Sequence, residues 1–342
     1  MSGKRYQLLA IAACATAAIT SALPARSLEP ARSGGLAQCE LGCSEAAAKA
    51  DAAELVSIPG TSLALSPPEG FVLSEQFSGF INPDTRSSIV LTELPPEAYL
   101  ELAALFSAAP DAIAEAFASR GIALQVEAVS NISAGDAQAP FVEGTQSAGG
   151  LQVRKYFTLL SGERTILLTF NVIEGDPLSK AAVVETVRSV NLASAASLQE
   201  SLASLPFTFQ TAPPFQVVQT LAGSSVLLSP SGEPDASGTE PFIVIASSVS
   251  PVETFDLAAF SSQLLQETRG FTEANIIAQT PIDFAGGEGY LTRATLQDAA
   301  VLQYFAILPD GFYIRLLVQG NAEALETLTP AIQFIQESIE VR

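Results

Sequence analysis

The chain has 342 residues, enough for about two domains at roughly 150 residues each, and its 48% hydrophobic and 15% charged residues exclude charge-driven disorder for most of it. With 36 acidic against 16 basic residues the formal net charge is -20, which argues against nucleic acid or an anionic lipid surface as a partner. There is no His and no Trp, and the only Met is Met1, so Ser-His-Asp and Cys-His catalysis, imidazole metal ligation and His proton shuttling are excluded.

The N-terminus reads as an export signal over 1–25. Lys4 and Arg5 precede an apolar run at 8–22, which is shorter than the roughly 20 residues of a membrane-spanning helix. Cleavage after Ala22 or Ala25 removes both cations and takes the net charge from -20 to -22. Ile11-Ala12-Ala13-Cys14 also resembles a lipobox, which makes Cys14 a candidate for lipidation and the one route to a membrane. An Ala-rich leader follows at 26–54 and carries Cys39 and Cys43. In an exported chain this pair is a candidate disulfide. Its five-residue loop limits the stabilisation to about 2 kcal/mol.

The remainder is two copies of one unit. Ser57-Ile58-Pro59-Gly60-Thr61 recurs as Ser204-Leu205-Pro206-Phe207-Thr208, an offset of 147. Tyr156-Phe157 recurs as Tyr304-Phe305 at 148, and Arg120-Gly121 as Arg269-Gly270 at 149. A period this long means a tandem pair of whole domains, not a solenoid. The copies are expected at 55–194 and 203–342, joined by a short linker at 195–202.

Within the first copy, segments 71–80 and 87–94 are predicted strands around the turn residues Asn82-Pro83-Asp84. Helices are expected at 97–107 and 110–120, the second begun by Pro110. A meander of strands follows at 122–133, 138–147, 151–160 and 163–173. An amphipathic helix closes each copy, at 178–190 and 322–339, and a further helix is expected at 255–269. Pro309-Asp310-Gly311 supplies the chemistry of a hairpin turn in the second copy. The fold class is therefore α+β: two tandem antiparallel sheets, each covered by helices.

The order of hairpin, helical crossover, meander and closing helix resembles the PsbP/Mog-type α/β/α sandwich, including its exported DcrB-like members. The residues that carry this are Pro67-Pro68-Glu69-Gly70-Phe71 and the meander at 156–170, with Phe71 standing where many members have Trp. The resemblance implies a mostly non-enzymatic protein without a cofactor and names no partner.

Candidate sites are few. Glu143-Gly144 and its echo Glu288-Gly289 fall on corresponding predicted strands, and paired carboxylates about 5–9 Å apart could act as acid and base. Duplication instead places one in each copy, as solvent-facing residues beside a glycine that lets backbones approach closely. Arg154, Lys155 and Arg164 share one hairpin of an acidic chain and form the candidate contact for a partner. No catalytic, cofactor or metal residues are assigned. The expected function is that of an exported, non-catalytic binding or assembly protein whose partner is a protein of the cell envelope. A periplasmic carrier of a small apolar ligand and a carboxylate-dependent hydrolase are the alternatives.

Overall fold

The structure, a computed structural model, describes residues 54–119, 122–148, 151–233, 235, 239–252, 254, 256–268 and 270–342. The signal segment, Cys14, Cys39, Cys43 and the Arg120-Gly121 pair lie outside the described residues.

The first copy opens with two short strands, β1 (Val56–Ser57) and β2 (Leu63–Leu65), followed by β3 (Val72–Leu73), β4 (Gly79–Ile81) and β5 (Ser88–Leu94). Segment 71–80 is thus two short strands and not one. Ser74 breaks it: its hydroxyl accepts hydrogen bonds from the backbone N–H groups of Gln76 (3.1 Å) and Phe77 (3.3 Å), a local turn that competes with the ladder. Two helices follow, α1 (Ala98–Phe106) and α2 (Pro110–Ala118), the latter with Pro110 in its first turn. The meander is β6 (Leu124–Ala134), β7 (Ala137–Ala148), β8 (Leu151–Ser161) and β9 (Thr165–Ile173), and α3 (Lys180–Arg188) and β10 (Asn191–Leu192) end the copy.

Helix α4 (Leu198–Ala203) stands in the joint. The second copy then runs β11 (Phe207–Thr208), β12 (Gln216–Leu221), β13 (Ser225–Ser229), β14 (Phe242–Ser247), α5 (Leu257–Glu267), β15 (Asn275–Phe284), β16 (Gly287–Leu296), β17 (Ala299–Ile307), β18 (Tyr313–Asn321), α6 (Ala322–Glu337) and β19 (Glu340–Val341).

Each copy builds a seven-stranded antiparallel sheet of the same order: β3-β4-β5-β9-β8-β7-β6 in the first and β12-β13-β14-β18-β17-β16-β15 in the second. The central strands are buried on both faces, and β9 (TILLTFNVI) accordingly reads as a nearly unbroken apolar run. On one face Ile89, Leu168 and Phe170 pack beneath Val183 and Val187 of α3. On the other, Leu94, Phe157 and Leu167 meet Leu102 and Phe106 of α1 and Ile113 of α2. In the second copy α6 covers one face through Leu325, Ile332 and Ile335, and Leu265 of α5 covers the other with Val301 and Leu317. The chain is therefore an α+β fold of two tandem sheet domains with helices on both faces. Small outer sheets tie the ends of each copy together: β2 pairs with both β1 and β10, and β11 pairs with β19.

Turn chemistry follows the sequence. Gly311, at φ +86°, closes the β17–β18 hairpin, its N–H donating to Leu308 O (2.9 Å). Helix α5 stops at Glu267, two residues short of the expected 269, and Gly270 follows at φ +85°.

Candidate functional site

The two copies meet along a buried seam. Phe77 and Val90 of the first pack with Ala222 and Val249 of the second, and the N–H of Ser78 donates to Ala222 O (2.7 Å). This contact is as close as backbone chemistry allows. Gly223, at φ +62°, faces Ser78 so tightly that a Cβ would sit 2.2 Å from its Oγ and 2.6 Å from its backbone nitrogen. Gly60, at φ +70°, leaves the same kind of space for Ser204 across the joint, where a Cβ would lie 2.4 Å from Oγ. Only glycine satisfies both the positive φ and the missing side chain.

Hydrogen bonds tie the joint to both copies. Ser197 and Glu200 form a reciprocal capping box at the start of α4: the Ser197 hydroxyl accepts from Glu200 N–H (3.2 Å) and the Glu200 carboxylate accepts from Ser197 N–H (2.8 Å). Hydrogen bonds from the Ser197 hydroxyl and then from its backbone hold Glu200 below the usual carboxylate range. Ser201 donates to Gly60 O (2.9 Å), and the N–H of Ala195 donates to the Glu163 carboxylate (2.9 Å) in the β8–β9 turn. Arg342 reaches back to the carbonyls of Ala203 and Leu205, the latter at 3.1 Å.

Beside this seam lies a cleft of about 230 Å³ with walls from both copies. The first copy contributes Glu93 from β5 and Arg164 from the β8–β9 turn, and the second contributes Val218, Gln219 and Thr220 from β12. A regular strand would turn alternate residues away. The ladder of β12 shifts register between Val217 and Gln219, and this bulge brings three consecutive residues to one cleft. One Glu93 oxygen accepts from Ser62 N–H (2.7 Å) and Ser62 O–H (2.6 Å), and among the described residues the other oxygen has no donor. Arg164 is half-buried and, among the described residues, forms no ion pair with Glu93 or any other carboxylate. The Nε2 of Gln219 is buried and has no acceptor among the described residues. A wider recess of about 670 Å³ on the second copy is lined by Glu240, Glu273 and Asp298, and there the Glu240 carboxylate is already taken by Ser231 N–H (2.8 Å) and O–H (2.7 Å). Among the described residues no group of three or more acidic or thiol side chains is placed to hold a metal.

The residues singled out from the sequence scatter. Arg154 is exposed on β8, whereas Arg164 sits in the turn at the far end of the same strand. Lys155 is a correction. Adjacent strand residues point to opposite faces, and with Arg154 outward Lys155 is directed into the fold, 1% exposed, so it cannot touch a partner at the surface. Its Nζ has no hydrogen-bond partner among the described residues, and burial pushes its pKa from 10.5 down to about 8. Asn171 is its cross-strand neighbour, and the Oδ1 of that residue is also buried without a partner among the described residues. At the equivalent position of the second copy stands Gln303, whose Nε2 donates to the carbonyl (2.7 Å) and hydroxyl (2.8 Å) of Ser261 in α5.

Glu143 and Glu288 do lie on corresponding strands, β7 and β16, but not at corresponding positions. Glu143 stands opposite Tyr156, and the residue opposite Tyr304 is Leu291. Glu288 comes three residues earlier, opposite Ile307, and an odd shift reverses the face. Glu143 forms an ion pair with Lys180 of α3, whereas Glu288 is exposed on the α5 side of its sheet. The adjacent glycines serve packing: a Cβ at Gly144 would lie 2.4 Å from Gln125 O, and one at Gly289 1.7 Å from Phe305 O. Sequence reasoning missed Glu93 and Gln219, because their significance arises only where the copies meet.

No family model matches the chain, and no curated protein does. Among solved structures, LpqN, described as involved in cell envelope biogenesis of Mycobacterium tuberculosis, is similar at 12% identity over 40% of this chain and 82% of its own, with a TM-score of 0.30. The type VI secretion immunity protein TplEi of Pseudomonas aeruginosa, solved with an "L" peptide, aligns at 11% identity over 81% of this chain and 99% of its own, with a TM-score of 0.29. The MucA/MucB complex of Pseudomonas aeruginosa contains a chain that aligns at 10% identity over 82% of this chain and 88% of its own, with a TM-score of 0.20. Overlaps this low carry no argument about this chain's function.

Proposed function

We propose that this is an exported, non-catalytic binding or assembly protein whose two repeats act as one body and present a composite surface to a protein of the cell envelope. The observation that carries the reading is the cleft between the repeats, where groups from both copies converge while each copy's own sheet faces are filled by packed side chains. The space between sheet and helices, where an apolar cargo would have to sit, is occupied in the first copy by Phe106, Phe117 and Phe157 at ring-centroid separations of 5.3–6.5 Å. Export rests on the charged start and apolar run of the first 25 residues, and exposed Arg154 and half-buried Arg164 offer positive charge to an acidic partner.

Affinity capture from native envelope fractions tests this reading, with Arg164→Glu and Glu93→Lys combined as the cleft variant. The expected result is a specific protein recovered with the wild type and lost with the cleft variant at equal thermal stability. Retention of the same protein by the cleft variant would place binding elsewhere. Intact mass of the native protein tests export: an uncleaved chain would contradict it, and a lipid adduct on Cys14 would establish the anchored form.

A further inference from the structure

The two repeats differ at one outer strand. In the first, β2 is flanked on both sides, by β1 and by β10, whereas its counterpart β11 in the second pairs only with β19 among the described residues. The N–H of Ser66 donates to the Ser189 hydroxyl (2.8 Å), and the N–H of Gln210 donates in the same way to that of Ser338 (2.9 Å). Leu65 is therefore matched by Phe209, and Leu63 by Phe207. The segment before β11 does not repeat β1, because the capping box of Ser197 and Glu200 starts helix α4 there. Successive residues of a strand direct their backbone groups to opposite sides. In the first repeat the N–H of Ala193 donates to Ser62 O (2.8 Å) and that of Ile58 to Leu63 O (3.0 Å), so Leu63 and Leu65 face β1. In the second the N–H of Arg342 donates to Pro206 O (2.9 Å), which turns the N–H and C=O of Phe207 and Phe209 to the side that has no strand. Among the described residues these groups meet no partner there. The side chains agree: Leu65 lies in the core against which Val56 of β1 packs and is 0% exposed, whereas the larger Phe209 is only half-buried.

We infer that this open edge of β11 accepts an extended segment of the partner protein as an added strand, in the place that β1 holds in the first repeat. The occupant's chemistry follows from β1: an apolar residue such as Val56 opposite Phe209, a polar neighbour such as Ser57 turned to solvent, and free backbone N–H and C=O groups along one side. The chain's own segments do not supply it. Residues 26–53 contain no β-branched or aromatic residue, a composition that disfavours a strand, and β1 of a second copy is taken by its own β2. Helix α4, whose Leu198 and Ser201 line the cleft, leads into β11, which makes the edge continuous in the chain with that surface. The inference rests on the reading above that the partner is a protein, and gives that partner a binding mode.

The test follows backbone amides by NMR in the full mature chain, isotopically labelled at Phe and Leu, with the end-capped peptide Glu54-Leu55-Val56-Ser57-Ile58-Pro59 as probe. In the free protein the amides of Phe207 and Phe209 should exchange hydrogen at least about tenfold faster than those of Leu63 and Leu65. The probe, at up to about 10 mM, should shift Phe207 and Phe209 and leave Leu63 and Leu65 in place. Methylating the backbone nitrogen of its Val56, which removes the N–H directed at Phe209 O, should weaken binding about tenfold. Equal protection of all four amides in the free protein overturns the inference, as does the absence of a shift at Phe207 and Phe209 or equal binding of the methylated peptide. The probe should also displace the partner recovered by affinity capture. A partner that stays bound, yet is lost with the cleft variant, would reject the added strand and leave the composite-surface reading standing.

Discussion

Replacing Lys155 by Met should stabilise the protein at neutral pH. The lysine stem is packed in the sheet and its ammonium is buried without a partner among the described residues, so methionine keeps most of the packing and removes only the charge. Burial lowers its pKa from 10.5 to about 8, and each pH unit of such a gap is worth about 1.4 kcal/mol. Because the folded-state value is the lower one, the penalty is present in full below about 8 and is relieved as pH rises towards 10.5. At pH 7 the penalty is roughly 3 kcal/mol, and it should shrink by about 2 kcal/mol by pH 10. Urea unfolding followed by far-UV circular dichroism, run on wild type and Lys155→Met at both pH values, reads the difference directly. Effects common to both chains, including the rising negative charge and the Tyr304 phenol that burial pushes up, cancel in the comparison. A variant less stable than wild type at pH 7, or a difference that does not narrow by pH 10, would refute the reasoning.

Gly223→Ala should cost about 2–4 kcal/mol, from the left-handed conformation and from overpacking against Ser78, and should make the joint at 195–202 more sensitive to limited proteolysis. Gly270→Ala has a similar φ but open space around it, so it should cost only about 1–2 kcal/mol; equal effects in thermal melts would contradict the seam. Desolvation raises the Asp176 carboxyl, but hydrogen bonds from Ser87, Thr85 and Leu178 outweigh it and hold the group below the usual carboxylate range. Asp176→Ala should therefore lose about 1–2 kcal/mol at pH 7, and the loss should fade as acid protonates the wild-type carboxylate, which unfolding curves at falling pH would show. Glu143→Gln combined with Glu288→Gln should leave partner capture intact, and its collapse in a folded protein would revive the carboxylate alternative.

Much of the architecture was legible because it is local and said twice. The echoes at offsets of 147 to 149, Pro110 opening a helix and Gly311 closing a hairpin each follow from chain chemistry near the residue concerned. The mispairing of Glu143 with Glu288 was legible too: their offset is 145 against 148 for the tyrosines of the next strand, a difference that on a two-residue period reverses the face. Adjacent Arg154 and Lys155 could not both face water on one strand, although nothing in the sequence chose between them. The cleft was not legible. It depends on a bulge at Val218 and on glycines whose value lies in a neighbour about 145 residues away, and no pattern of period 2 or 3.6 records such a contact.

The central claim is that the groove between the repeats is where a partner binds, and site-specific photo-crosslinking in the native host tests it most directly. A crosslinking residue at Thr220, on the cleft wall, is compared with one at Ile277, which is 62% exposed on the far edge strand. A discrete protein adduct from Thr220, absent from Ile277 and lost with Arg164→Glu, is the predicted result. Adducts from Ile277 alone, or from both positions regardless of Arg164, would contradict it.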